Sequence, residues 1–564
     1  MTEVKLAGAY IPGIVKRAST SRSAMTWMAR FESSDIATVV LLAALVVIAL
    51  TTYKDYSISN DEGVQHHYGE LIIAYYKSGF KNQSLFSFQN LYLYGGLFDI
   101  IAVALAHLVP IDPYDLRHIL CALTGIGGIG ATAATARLIA GPRAGLIAAI
   151  SLTLCGAWYG SMFNHTKDIP FAAAMMGATL FLIRMARRLP SPRAGDVALF
   201  GLLAGCALGV RVIGLLLVIY IGFAIILNRP RPGLSLGRTQ LRFAAESIVR
   251  LLPALMLAYV IMILAWPWAA LAPINPLRGL LAFSEFNYSV RTVLDGQVYA
   301  MADVPRLYIP TYVMIRVPLL TLFGAALTMV AAQVLRGTAG ANQQQYRDIT
   351  LLSLTVIFPL ACQVICHGPA FTGLRHFLFL IPLLAVLAGI GIDRALASLK
   401  TRGRMVARAG VAVVTACLLW DAVTLVRLHP YEYLVYNSLV GGLDGASRHY
   451  DLDYWFGSMP EAINYLEAYL RRTEPGNASW PTRIYSVAVC GERLPFEKAV
   501  TLPQLKWDFR QEWNQSDFFI APTQLNCDGD VDGKIIGTVE RLGVVIAYIK
   551  DLRALNPPET TARR

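Results

Sequence analysis

The sequence predicts a polytopic α-helical membrane protein with a small α/β domain at its C-terminal end. Three observations predict it. Of 564 residues, 55% are hydrophobic and 15% charged, with a mean hydropathy of +0.50; a soluble chain of this length is not so apolar. A succession of apolar runs follows, each long enough for a bilayer and bounded by Arg, Lys, Pro or Gly. Beyond residue 428 the texture changes to polar, aromatic and turn-rich sequence.

The net charge of +12 would suggest a nucleic-acid partner in a soluble protein. In a membrane protein Lys and Arg mark cytoplasmic loops instead, so no nucleic acid is expected and membrane lipids are the expected surroundings. The first 35 residues lack an apolar core followed by a small-residue cleavage site. The first apolar run is therefore read as a retained anchor.

Eleven spans are expected, near 37–53, 116–139, 144–162, 169–186, 196–210, 212–228, 248–269, 309–334, 349–366, 374–392 and 409–427. Two places admit alternatives: 196–228 reads as two short spans or one long helix, and 91–110 (LYLYGGLFDIIAVALAHLVP) as a span or a surface helix. Charge decides both. With Lys5, Lys16, Arg17, Arg22 and Arg30 on the cytoplasmic side, every second loop is basic. These loops carry Arg137 and Arg143, then Arg184, Arg187, Arg188 and Arg193, then Arg229, Arg231, Arg238 and Arg242, and finally Arg394, Lys400, Arg402, Arg404 and Arg408. That parity requires a break near Arg211 and a helix at the outer interface over 91–110.

The resulting plan is a cytoplasmic segment 1–36, a membrane domain 37–427 with a first outer loop 54–115, and an extracytoplasmic α/β domain 428–564. In the tail, TRIYSVAVCG, SDFFIAPTQL and KIIGTVERLGVVIAYIKDL read as strands and MPEAINYLEAYLRR as an amphipathic helix. Six of the eight Cys fall in expected spans as small apolar residues; Cys490 and Cys527 lie in the tail, where an oxidising compartment permits a disulfide.

The stretch SISNDEGVQHHYGELIIAYY, residues 57–76, stands out in the first outer loop. A carboxylate there, Asp61 or Glu62, can take a proton from a hydroxyl while its oxygen attacks an electrophile at the lipid boundary. The plain alternative is that SNDEG is a solvated turn capping a helix over 64–78.

The acid pair, NHTKDIPFAAAMMGATLFLI, GLLAGCALGVRVIGLLLVI and GLRHFLFLIPLLAVLAGIG together resemble the GT-C glycosyltransferases, specifically the bacterial branch related to protein O-mannosyltransferases and lipid A aminoarabinose transferases. The resemblance covers most of the membrane part. It implies the GT-C fold, a bacterial inner membrane location, and inverting transfer of a sugar from a polyprenyl-phosphate donor to an acceptor on the outer face. By position, Asp61 is similar to the family's catalytic base, Asp168 to a second acid near the acceptor, and Glu62 to a residue supporting Asp61 or meeting the sugar.

The leaving phosphate gains charge, so cations at the membrane surface lower the barrier. Lys167, Arg211 and Arg375 with His376 are the candidates. Arg211 between two apolar half-helices either faces a polar cavity or anion, or snorkels to the interface; Arg375 either meets phosphate or anchors its span. The chain departs from the aminoarabinose transferases in one respect. Where they carry Glu-Lys-Pro-Pro at the end of the first outer loop, it has LYLYGGLFDI, so Tyr92 and Tyr94 become candidates for phosphate or sugar contact.

His66 and His67 invite a metal reading. Adjacent helical residues diverge by about 100°, so both cannot easily face one ion with Asp61. No metal or other cofactor is expected, and His66 remains a candidate contact to the donor. Two rival classes are a polytopic lipid or sugar transporter (flippase), which would place ionisable groups near mid-membrane in matched halves, and a ligase of lipid-linked glycans.

Overall fold

The computed structural model describes residues 32–230, 236–284, 290–334, 341–473, 483–508 and 510–555. Lys5, Lys16, Arg17, Arg22, Arg30 and Arg231 of the expected charge pattern lie outside the described residues. The chain is a mostly helical, multi-span membrane protein. Among the described residues seven helices are long and apolar enough to cross a membrane: Ser33–Asp55, Pro113–Ala140, Asp168–Ala186, Gly237–Ala265, Asn342–Cys366, Leu380–Thr401 and Arg404–Leu428. Two bent pairs raise the number to nine: Pro142–Thr153 with Gly156–Asn164, bent by 68°, and Tyr308–Arg316 with Leu319–Gln333, bent by 113°.

The other two expected spans are the shorter helices Ala194–Leu208 and Val212–Asn228. At 15 residues the first rises only ~22 Å against a hydrocarbon core of ~30 Å. Seven of the eleven expected spans thus reach bilayer length as single helices, two more do so only if each bent pair counts as one span, and these two short helices do not. The break near Arg211 is present: the helix ends at Leu208, and a 3-10 turn, Val212–Leu215, leads into Leu216–Asn228.

The two bends differ in their surroundings. The backbone of Glu432 and Tyr433 passes so close to Gly156 and Gly160 that neither could carry a Cβ. At the second bend Pro318 forces Val317 into extended geometry, φ −89° and ψ 135°, and stops the helix at Arg316. The 91–110 stretch holds a 3-10 turn at Leu91–Leu93 and the ten-residue helix Leu97–Ala106. Gly96 N–H donates to the Ala265 carbonyl at 2.9 Å and Leu97 N–H to that of Gly209 at 3.0 Å, so this piece closes the ends of two neighbouring helices.

One end of the bundle gathers the expected cytoplasmic arginines against acids. Arg137 meets Asp35 at 2.6 Å, Arg143 meets Asp393 at 3.0 Å, and Arg184 and Arg187 meet Asp196 and Asp348 at 2.7 Å each. The opposite end carries a hairpin of β1 (Arg291–Leu294) and β2 (Gln297–Ala300), and the C-terminal sheet.

That sheet comprises β3 (Tyr485–Val489), β4 (Leu505–Asp508), β5 (Phe518–Pro522), β6 (Lys534–Arg541) and β7 (Val544–Asp551), in the order β4-β3-β5-β7-β6. β3 runs parallel to β4 and β5, and β7 antiparallel to β5 and β6. The run KIIGTVERLGVVIAYIKDL is two strands, because Leu542 and Gly543 take φ of 52° and 83° and turn the chain back. The helix Met459–Thr473 buries Met459, Ala462, Ile463, Leu466 and Leu470, the helical spacing of one apolar face.

Candidate active site

The helix Asn60–Lys77 starts at a capping box. Ser59 is its N-cap, and the Glu62 carboxylate accepts the Ser59 N–H at 2.8 Å. Glu62 is fully buried and pairs with His118 at 3.1 Å. The helix begins at Asn60, four residues before the expected 64–78. Asp61 in its first turn keeps 31% of its side chain exposed and accepts from Arg375 Nη2. The NDEG segment is therefore a helix cap, and one of its carboxylates enters a long-range ion pair.

Asp168 opens the helix Asp168–Ala186, where a carboxylate suits the helix dipole and Pro170 sits in the first turn without needing a donor. Its side chain is buried and bracketed by two guanidiniums. Arg211 Nη2 donates to Oδ1, and Arg375 Nε donates to Oδ2 at 2.9 Å. Arg375 is placed by a tight turn in which Gly373 has φ 61° and lies against the Tyr312 ring; its N–H donates to Tyr308 Oη at 2.9 Å. Asp61, Asp168, Arg211 and Arg375 thus form one chain of charge at the end of the bundle that carries the sheet.

Lys167 is buried beside this chain, its Nζ 4.4 Å above the Tyr94 ring, and Arg211 lies 6.0 Å from the same ring. Burial pulls the Lys167 amine down to about 8. His376 packs edge-on against Phe371 at 4.9 Å. Tyr92 packs edge-on against Trp268, 5.6 Å between ring centres. His66 sits 3.7 Å from Glu70 and 5.6 Å from the Tyr114 ring, and no bond joins it to Asp61. Among the described residues no group of three or more His, Cys, Asp or Glu could hold a metal ion.

Several residues of this end were not singled out in the sequence. Arg117, fully buried, pairs with Asp99 at 2.8 Å and donates to Gln65 and Thr166, tying the Asn60–Lys77 helix to the turn before Asp168. Tyr454 and Trp455 lie 5.4 and 5.6 Å from the Arg375 guanidinium. Glu492 reaches the first turn of the Asp61 helix, its N–H donating to Asn60 Oδ1 at 3.1 Å; burial and the Asp61 charge push its carboxyl up. Cys490, two residues earlier, is bonded to Cys527. The density of acids and aromatics in DLDYWFGS was the one available signal, and it has no periodicity to set it apart from a loop.

Residues 115–268 match the family described as dolichyl-phosphate-mannose-protein mannosyltransferase. No curated protein sequence matches the chain. Among solved structures, it is similar to ArnT from Cupriavidus metallidurans bound to undecaprenyl phosphate, with 15% identity and a TM-score of 0.46, covering 91% of this chain and 97% of that one. It is also similar to the archaeal oligosaccharyltransferase AglB from Archaeoglobus fulgidus in complex with an inhibitory peptide and a dolichol-phosphate, with 12% identity, a TM-score of 0.44, and coverage of 86% and 69%. For the arabinofuranosyltransferase AftD from Mycobacteria the values are 13%, 0.38, and 91% and 40%.

Proposed function

We propose that this protein is a membrane glycosyltransferase that moves a sugar from a polyprenyl-phosphate donor to an acceptor hydroxyl or amine, with inversion at the anomeric carbon. One observation carries the reading: the Arg375 guanidinium binds both a partly exposed carboxylate, Asp61, and a buried one, Asp168. Such an arrangement suits a base and an anion site placed side by side. The match of residues 115–268 to the mannosyltransferase family supports the same class.

In this scheme the donor phosphate meets Arg211, Arg375 and Lys167. A phosphate that draws Arg375 toward itself leaves the Asp61 oxygen to the acceptor. Asp61 then takes the acceptor's proton as its oxygen or nitrogen bonds to the anomeric carbon, and the carbon–oxygen bond to phosphate breaks with its electron pair on the phosphate. The products are the glycosylated acceptor and polyprenyl phosphate. Asp168 is a positioning residue that aims both guanidiniums, and Glu62 positions the turn that presents Asp61. The scheme uses side chains alone.

The reading places the N-terminus in the cytoplasm and the site with the sheet domain on the outer side of a bacterial plasma membrane. Its support is the cluster of arginines at the opposite end of the bundle. The test supplies sugar-linked polyprenyl phosphate to the purified protein in detergent, with an acceptor extract, and follows release of bare polyprenyl phosphate. A flippase releases none, and a ligase of whole glycans leaves a monosaccharide donor unconsumed.

A further inference from the structure

The segment Asp451–Ser458, DLDYWFGS, holds three non-glycine residues in the left-handed region: Asp453 at φ 66°, Trp455 at 43° and Phe456 at 61°. A free loop would shed such strain; it persists where neighbours over-determine it. Here Asp453 is the clamp. Its carboxylate accepts from Tyr433 Oη at 2.8 Å, Tyr454 N–H at 2.7 Å, Ser458 Oγ at 2.5 Å and Ser458 N–H at 3.3 Å.

The clamp fixes two rings beside Arg375. Tyr454 is buried, stacked on His165 with ring centres 3.5 Å apart. Trp455 stays partly accessible, its ring 5.6 Å from the guanidinium and 6.3 Å from Phe371. Its Nε1–H is buried and has no acceptor. A buried donor left unmatched costs free energy unless something supplies the acceptor.

We infer that Trp455 is a sugar-binding residue: its ring takes a C–H face of the donor sugar, and Nε1–H donates to a sugar oxygen. This rests on the glycosyl-transfer reading above. The linkage chemistry supports it, since in a sugar phosphate the ring carbon is one oxygen away from phosphorus. A phosphate held by Arg375 therefore brings its sugar within reach of the neighbouring aromatic face, and aromatic faces attract apolar C–H surface while Trp adds one polar handle.

The experiment measures binding of bare undecaprenyl phosphate and of its mannosyl, glucosyl, galactosyl and arabinosyl forms to the full chain in detergent, as wild type, Trp455→Phe and Trp455→Leu. The wild type should hold at least one sugar form more tightly than the bare lipid. Trp455→Leu should lower that affinity about tenfold, toward the bare-lipid value, with bare-lipid binding unchanged; Trp455→Phe, which keeps the ring and loses the donor, should fall between. A parallel loss of both lipids would overturn the inference, because it marks a structural role, as would an unchanged preference for the sugar form. A wild type that binds bare lipid and sugar forms equally removes the Trp455 role and leaves lipid-phosphate binding standing. One that binds neither removes both.

Discussion

Arg375 donates to Asp61 across 314 residues of chain, and its other edge holds Asp168. This single contact binds the first turn of the Asn60–Lys77 helix to the turn before Leu380–Thr401, and it puts the most accessible carboxylate of the charge chain beside the cations proposed to meet phosphate.

If Asp61 is the base, Asp61→Asn keeps the side chain's size but cannot take the acceptor proton. Turnover should fall by roughly 10²–10⁴ while donor binding persists. Near-normal turnover of this variant would reduce the acid to a helix cap. Glu62→Gln keeps an acceptor for the Ser59 N–H but removes the charge paired with buried His118, and should lower the unfolding temperature with a smaller loss of turnover.

Arg211 and Arg375 share a buried carboxylate, so removing either has two effects. Donor affinity should drop by about one to two decades for the lost charged hydrogen bond. Asp168 also loses a partner in a dry site, at a cost of about 3–5 kcal/mol for a broken buried pair. Arg211→Gln combined with Asp168→Asn should therefore regain thermal stability without regaining donor affinity. Recovery of both would show that Arg211 serves the fold alone.

Lys167 sets a basic limb. With its amine at about 8, donor binding through this cation is full below that pH and lost as pH rises through it. Lys167→Arg should move the limb upward and Lys167→Gln should remove it, in titrations of donor affinity from pH 6 to pH 10. Stability should run the other way: between about 8 and the ordinary 10.5 the unfolded chain keeps a proton the folded one has lost, so this residue's contribution to stability rises with pH. An affinity that is flat across pH 8 would take Lys167 out of the donor site.

The proposed orientation is open to single-cysteine labelling in a background without exposed thiols. Asp444→Cys, on the sheet side, should react with an impermeant reagent added outside intact cells, and Lys400→Cys should not. Asp444 serves better than its neighbour Gly445, whose space for a Cβ is filled by the Val440 carbonyl. The reverse pattern would put the site in the cytoplasm and remove the outer-face reaction.

What the sequence determined by itself was what depends on local averages. Hydropathy summed over about 19 residues located every long apolar helix, because crossing a bilayer is a property of one segment and its length. Arginine spacing located the break at Arg211, since orientation is set loop by loop. Asp61 and Asp168 were named separately, by their place in motifs that resemble a known family, and Arg211 and Arg375 as cations a leaving phosphate would need. Only the tertiary structure decided that these four join, that Glu62 turns inward to His118, and that Tyr92 meets Trp268 while Tyr94 meets Lys167. It also decided the close approach of Glu432 and Tyr433 to Gly156 and Gly160 from some 270 residues away, and the strained fold that sets Trp455 beside Arg375. The reason is physical: an ion pair or a close backbone approach gains its energy only when distant segments pack together. No window along the chain contains both partners.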